Sequence, residues 1–372
     1  MVEKMVSARR MAFVALALGC LIGCNTNSTP GPAGDGSTGA NAGDKRRIIL
    51  LTNGYSDFWK AAETGLQAAA KDFGLAAAGL EATFMANDGT NEGQLDKLRQ
   101  IATQSDVAAV GISVTDRDNV AIADELRALR KKGVKVIAID SDLNENLRDA
   151  RYAFVGSNNL AGGRLLGTAA RLLRPDGGEY VTFVGRTGAH NAIQRVDGFA
   201  EGAGKNFVAK DNMGDEIDMS KAKENVRNAI RNHPDLKFLV GIWSYNAGKI
   251  VDVVQDQNAR DKFTIVCFDA DQDAIQHTEA GLIDVLVVQN PYRMGYDGVR
   301  LMKALIEDDQ AVLDEMLHQA GVDGDRTIDT GLKVVIPDDD SPLTADQFGD
   351  DIEFFKLKDF RLWLDKYGLK SS

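Results

Sequence analysis

A repeating alternation most constrains what this chain can fold into. Nine short runs rich in apolar and β-branched residues, IILLT (48–52), ATFMA (82–86), VAAVGI (107–112), VKVIAID (134–140), YAFVG (152–156), YVTFVG (180–185), KFLVGI (237–242), FTIVCFD (263–269) and DVLVVQ (284–289), are separated by longer segments. Several of those segments have helical spacing, as in residues 58–73, 92–105, 119–132 and 222–232, and Gly133, residues 175–178 and Pro234 punctuate the junctions. Apolar runs without a period of two are those of parallel strands covered by helices on both faces. The fold class expected is therefore α/β and doubly wound. At 372 residues and 44% hydrophobic the chain has room for about two such lobes.

The alternation also contains an echo. VIAIDSDLNE (136–145) and IVCFDADQD (265–273) each follow a helical segment and a short turn, and each is an apolar strand ending in Asp-x-Asp. Two similar halves would place Asp140 and Asp269 at the carboxyl ends of strands, where open α/β sheets bind ligands. Asp also ends strands merely because it hydrogen-bonds in turns.

The acids of TIVCFDADQD (264–273), namely Asp269, Asp271 and Asp273, have the first three spacings of a calcium loop, but Ala274 stands at its sixth position and Ala280 at its twelfth. The four histidines, His190, His233, His277 and His318, are scattered singly without metal-ligand spacing. There is no GxSxG elbow, no P-loop and no GxGxxG after a strand; Gly162-Gly163 and Gly177-Gly178 suit a helix start and a turn. Asp140 and Asp269 as a glycosidase pair would sit on separate lobes, which is poor support for a fixed catalytic geometry. No metal, no cofactor and no enzymatic activity are expected.

Six segments occur in order across nearly 300 residues: Thr52 with YSDFW (55–59) and Gly65, ISVTD (112–116), VIAID (136–140), QRVDGF (194–199), VCFD (266–269) and VQNPYRMG (288–295). In these, from residue 47 to about 337, the chain resembles the type I periplasmic sugar-binding proteins, the ribose-binding branch above all. The resemblance implies two Rossmann-like lobes joined by a hinge, with 47–156 plus 290–325 in the first, 157–289 plus 326–337 in the second, and 338–372 as a C-terminal extension.

A sugar offers vicinal hydroxyls that both donate and accept, together with C–H patches on its ring faces, so its site needs planar forks, carboxylates and flat apolar plates. Arg195 is a fork, Asp140 and Asp269 are acceptors, Gln289 gives and accepts, and Phe58 and Trp59 are plates or plain helix packing. By resemblance, Phe58 and Trp59 stack on the ring, Asp140 and Ser113 hold hydroxyls from the first lobe, and Arg195, Asp269 and Gln289 do so from the second lobe and the hinge; Thr52 joins the site from the first strand. Where the ribose branch has Asn, this chain has Ser113 and, within IWSYN (242–246), Trp243. A larger or differently faced sugar than ribose is implied, with Trp243 as a second-lobe plate and Asn246 as a polar contact. Tyr55 and Asp57 are further candidates for contacts or for helix capping.

The N-terminus reads as an export signal. Lys4, Arg9 and Arg10 precede the apolar run MAFVALALGCLIG, which is too short to span a membrane. LIGC (21–24) has the pattern of a bacterial lipoprotein signal, so 1–23 would be removed and Cys24 lipidated. Residues 24–46, rich in Asn, Ser, Thr, Pro and Gly, read as a flexible tether. Cys267 alone then remains as a core thiol, with no disulfide to form. Removing 1–23, which carries three cations and one anion, takes the formal charge from −12 to −14, and no basic stripe offsets repulsion from phosphates, so no nucleic-acid partner is expected. The 338–372 segment turns from acidic to amphipathic and suits an added strand or helix. The expectation is a monomeric, membrane-anchored periplasmic or cell-envelope protein that captures a sugar by hinge closure and presents it to an ABC transporter permease, or alternatively to a sensor kinase or chemoreceptor. A repressor with the same core would need a basic helix-turn-helix where this chain has its signal and tether.

Overall fold

The computed structural model describes residues 45–317, 326–350 and 352–372. The expected export signal, the expected lipidation site Cys24 and most of the expected tether lie outside the described residues. In chain order the strands are β1 (Arg46–Leu51), β2 (Leu80–Met85), β3 (Val107–Ile112), β4 (Lys135–Ile139), β5 (Phe154–Gly156), β6 (Gly178–Val184), β7 (Phe207–Gly214), β8 (Leu236–Gly241), β9 (Thr264–Phe268), β10 (Val285–Val288), β11 (Thr327–Asp329), β12 (Lys333–Ile336) and β13 (Glu353–Lys356). The α-helices are α1 (Asp57–Asp72), α2 (Asn91–Ala102), α3 (Val120–Lys131), α4 (Asn159–Leu173), α5 (His190–Ala203), α6 (Met219–Asn232), α7 (Ser244–Asp256), α8 (Gln272–Glu279), α9 (Pro291–Glu307), α10 (Gln310–Leu317) and α11 (Leu357–Lys366).

Two sheets organise them. The first runs β11-β5-β4-β3-β1-β2 and the second β13-β12-β10-β9-β8-β6-β7. All pairings are parallel except β10 with β12. β3, β9 and β10 are buried at every position, as strands covered by helices on both faces must be. β7 escaped the sequence reading because this edge strand carries exposed polar residues and lacks an apolar run. The chain crosses between sheets after β5, after β10 and between β11 and β12. That third crossing corrects the expected assignment of 326–337: Thr327–Asp329 pair with Phe154–Gly156 in the first sheet, and only β12 belongs to the second.

Glycine permits the closest helix contacts. A Cβ on Gly65 of α1 would lie 1.9 Å from the Tyr292 carbonyl oxygen of α9, and one on Gly163 of α4 would lie 2.4 Å from the Arg195 carbonyl oxygen of α5. Each lobe thus anchors a site-bearing helix, α1 or α5, by backbone approach.

Candidate functional site

The strand ends converge on one cavity. Asp140 and Asp269 directly follow β4 and β9, both with a left-handed backbone at φ 64°. Each amide is captured by the next strand, Asp140 by the Val155 carbonyl at 3.0 Å and Asp269 by the Val287 carbonyl at 2.8 Å. A non-glycine residue in this region is uncommon, and here each is tied by its amide to the neighbouring strand.

Between the two acids lies Arg195. It projects from α5, is 1% exposed, and its guanidinium sits over the Phe268 ring at 4.6 Å. Its Nε donates to Asn159 Oδ1 and its Nη1 to the Ile242 carbonyl, each at 3.0 Å. Nη1 is 3.7 Å from Asp269 and Nη2 is 3.9 Å from Asp140, while Nη2 has no hydrogen-bond partner. The buried polar fork therefore keeps one donor arm uncommitted at the cavity. Gln289 donates to Asp269 Oδ1 at 2.9 Å and likewise leaves its Oε1 unpaired.

Burial governs the electrostatics. It raises the Asp140 carboxyl against the pull of Arg195, Ser113 and Asn191, and pushes Asp269 up to about 6 against Arg195 and Gln289. It also draws Arg195 down from its usual value, against the two carboxylates that support its charge. We take the guanidinium to be charged, because its usual value stands far above neutral pH and two acids flank it.

The cavity comprises about 410 Å³, partly open to solvent, at the lower end of the range for small-molecule sites. Of the expected residues, Phe58, Trp59, Asp140, Arg195, Trp243, Asp269 and Gln289 line it, as does Tyr55. Phe58 and Trp59 meet edge to face at 5.1 Å, and Trp59 donates to Asn53.

Three expected contacts stand behind the wall. Thr52 donates to the Gly54 carbonyl and accepts from the Asn87 amide, shaping the turn below α1. Ser113 donates to Asp140 Oδ2 at 2.9 Å, so it holds the acid in place. Asn246 caps α7 at the Trp243 amide and donates to Asp215. Asp57 lies outside the lining and pairs with Lys60 and Gln272.

The acids of the 264–273 stretch divide by role: Asp269 faces the cavity, whereas Asp271 caps α8 through the Ala274 amide. Among the described residues no group of three or more His, Cys, Asp or Glu side chains could hold a metal ion, and no helix is long and apolar enough to cross a membrane. Cys267 is buried and free, its thiol pushed up by burial to about 12.

Among the residues the structure adds to the lining, Asn191 and Ile217 stand out by their contacts. Asn191 stands one turn before Arg195 on α5, donates to both Asp140 oxygens at 3.3 Å, and accepts from Trp243 Nε1. Its i, i+4 spacing from Arg195 was the available signal. Ile217 also lines the cavity, opposite Gly54 and Gly89, on a loop where Glu216 and Ile217 have φ of 57° and 65°. Buried Asp215 pins that loop by accepting from the Ile217 amide. No local pattern announces a β-branched residue at positive φ.

The periplasmic binding protein domain model matches residues 48–310. The chain belongs to that family. It is 24% identical over 273 residues to the D-allose-binding periplasmic protein of Escherichia coli (strain K12), covering 72% of this chain and 86% of that one. Among solved structures, an ABC transporter solute-binding protein from Burkholderia graminis C4D1M in complex with D-arabinose aligns with a TM-score of 0.68 at 21% identity, covering 81% of this chain and 99% of that one. One from Agrobacterium vitis with bound D-fucose aligns with a TM-score of 0.69 at 22% identity, covering 78% and 95%. This periplasmic binding protein has the type I fold, and its family consists of binding proteins rather than enzymes.

Proposed function

We propose that this protein captures a monosaccharide between its lobes and presents it, from a lipid anchor at Cys24, to an ABC transporter permease. The observation that carries the reading is Arg195: a buried fork between carboxylates from two sheets, with Nη2 unpaired at a cavity flanked by Phe58, Trp59 and Trp243. Acceptors, a fork and flat rings are what a polyol with apolar faces requires. Asp140 follows β4 of the first sheet, while Arg195 comes from α5 of the second lobe and Asp269 and Gln289 follow β9 and β10 of the second sheet, so a ligand touching both sides binds the shut form best. The sugars named for the similar proteins set the first panel.

Thermal shift followed by calorimetric titration against D-allose, D-arabinose, D-fucose, D-ribose, D-glucose and polyols tests the ligand class. We expect a rise in Tm with at least one, at micromolar affinity or about −8 kcal/mol. No response to any member overturns monosaccharide capture. Expression of Cys24→Ser tests the anchor: the variant should become soluble after export, and retained membrane association would count against lipidation.

A further inference from the structure

Residues 353–372 lie beyond the region matched by the family model, yet they are built into both lobes. β13 extends the second sheet beside β12, and α11 is fixed there by Phe360 and Leu364 in the core and by a two-pronged Arg361–Glu279 ion pair at 2.7 and 2.8 Å. Lys333 is 1% exposed beneath this segment, paired with Glu353 at 2.9 Å and under the Trp363 ring at 4.4 Å. From α11 an aromatic ladder then passes into the first lobe: Trp363 meets Tyr367 at 5.1 Å, Tyr367 meets Tyr292 of α9 at 4.9 Å, and Tyr292 stacks on Tyr296.

The chain after α11 turns back to the strand ends that carry the site. Ser371 and Ser372 are 5% and 1% exposed. Ala270 and Ser372 exchange both backbone hydrogen bonds, at 2.7 and 2.9 Å, directly beside Asp269. Ser372 Oγ donates to the Gln289 carbonyl at 2.9 Å, and Ser371 Oγ donates to the Asp57 carbonyl at the start of α1 at 3.4 Å. One short segment therefore touches the residue after Asp269, the backbone of Gln289 itself, and the first turn of the first-lobe helix that bears Phe58 and Trp59.

We propose that residues 353–372 form a brace between the lobes, and that Ser371 and Ser372 are positioning residues that hold Asp269 and Gln289 in register with α1. The left-handed backbone at Asp269 is tied to β10 on one side, and the paired Ala270–Ser372 backbone adds a second tie directly after it. The positioning role rests on the sugar-capture reading; the bracing role does not.

The test uses the full-length protein and Ser372→Pro, which removes the amide that donates to Ala270. Without any sugar, hydrogen exchange of residues 269–272 is expected to quicken about tenfold, with exchange in β3 and β4 unchanged. In the presence of whichever of D-allose, D-arabinose or D-fucose binds wild type, the dissociation rate is expected to rise about tenfold. Should Ser372→Pro lose its cooperative unfolding transition, the double variant Ser371→Ala/Ser372→Ala keeps the backbone pair and should show about a fivefold change in the same exchange. Wild-type exchange at 269–272 in a folded variant overturns the brace. Failure of every sugar to bind wild type overturns the capture reading and leaves the exchange result to decide the brace.

Discussion

Asp140 and Asp269 occupy equivalent places in the two lobes, share a φ of 64°, and are satisfied in opposite ways. Asp140 takes Ser113 from its own sheet, then reaches Asn191 and Arg195, both on α5 of the other lobe. Asp269 takes Gln289 and Arg195 from its own side. The first acid thus draws part of its pairing from the other lobe, whereas the second draws all of it from its own side. Matching strand ends thus differ in where their partners come from: across the cleft for Asp140, and from its own side for Asp269.

Removing what the two acids share should have the largest effect. Arg195→Ala would leave two buried carboxylates with no cation between them, and breaking a buried charged pair costs about 3–5 kcal/mol. Sugar affinity should fall at least a hundredfold by calorimetric titration. A fall of less than tenfold would mean that the trio does not carry binding.

Replacing each acid separately sharpens the contrast. Asp140→Asn should loosen closure by about 2 kcal/mol, read as a higher dissociation rate, because the hydrogen bonds it loses cross the cleft. Asp269→Asn should instead change the pH dependence of stability. Its carboxyl is raised to about 6 in the folded protein, so between about 4 and 6 the folded state binds more protons than the unfolded one. Stability from this group is greatest at the acid end, falls by up to about 2–3 kcal/mol as pH rises through that window, and is level above it. Asp215, raised to about 6, and Asp271, raised to about 7, slope the same way, so the variant-minus-wild-type difference in denaturant melts isolates Asp269. Identical slopes for the two proteins would remove this distinction between the acids.

The same contrast explains what could be read in advance. Strands buried on both faces carry their identity in composition, which is why β3, β4, β9 and β10 and the acids at their ends were legible. Phe58, Trp59, Arg195, Trp243 and Gln289 followed from matched motifs and from the chemistry of a polyol. What composition could not supply are the cases where partnership decides the placement. Thr52, Ser113 and Asn246 are polar residues in the expected segments, but a hydroxyl or amide beside a site can face the cavity or bond its neighbours, and the structure places these three off the cavity lining on internal partners. β11 is three residues long and takes its sheet from its pairing with β5, which its composition does not encode. The reach of Ser372 to Ala270 is a long-range contact with no periodic signal.

The smallest expected effect tests whether Ser113 is a support or a contact. Its hydroxyl donates to Asp140 Oδ2 at 2.9 Å, and the residue is fully buried away from the cavity lining. Ser113→Ala therefore removes one hydrogen bond to a charged acceptor and no ligand atom's partner, a loss of about 1 kcal/mol, or roughly fivefold in affinity. A support acts through its acid, so in an Asp140→Asn background the serine substitution should cost almost nothing, giving a coupling energy close to the single-variant loss. A direct contact with the sugar would instead add its full cost in both backgrounds. Additive losses in that double-mutant cycle would return Ser113 to the ligand shell and make the first lobe's acid as self-sufficient as the second's.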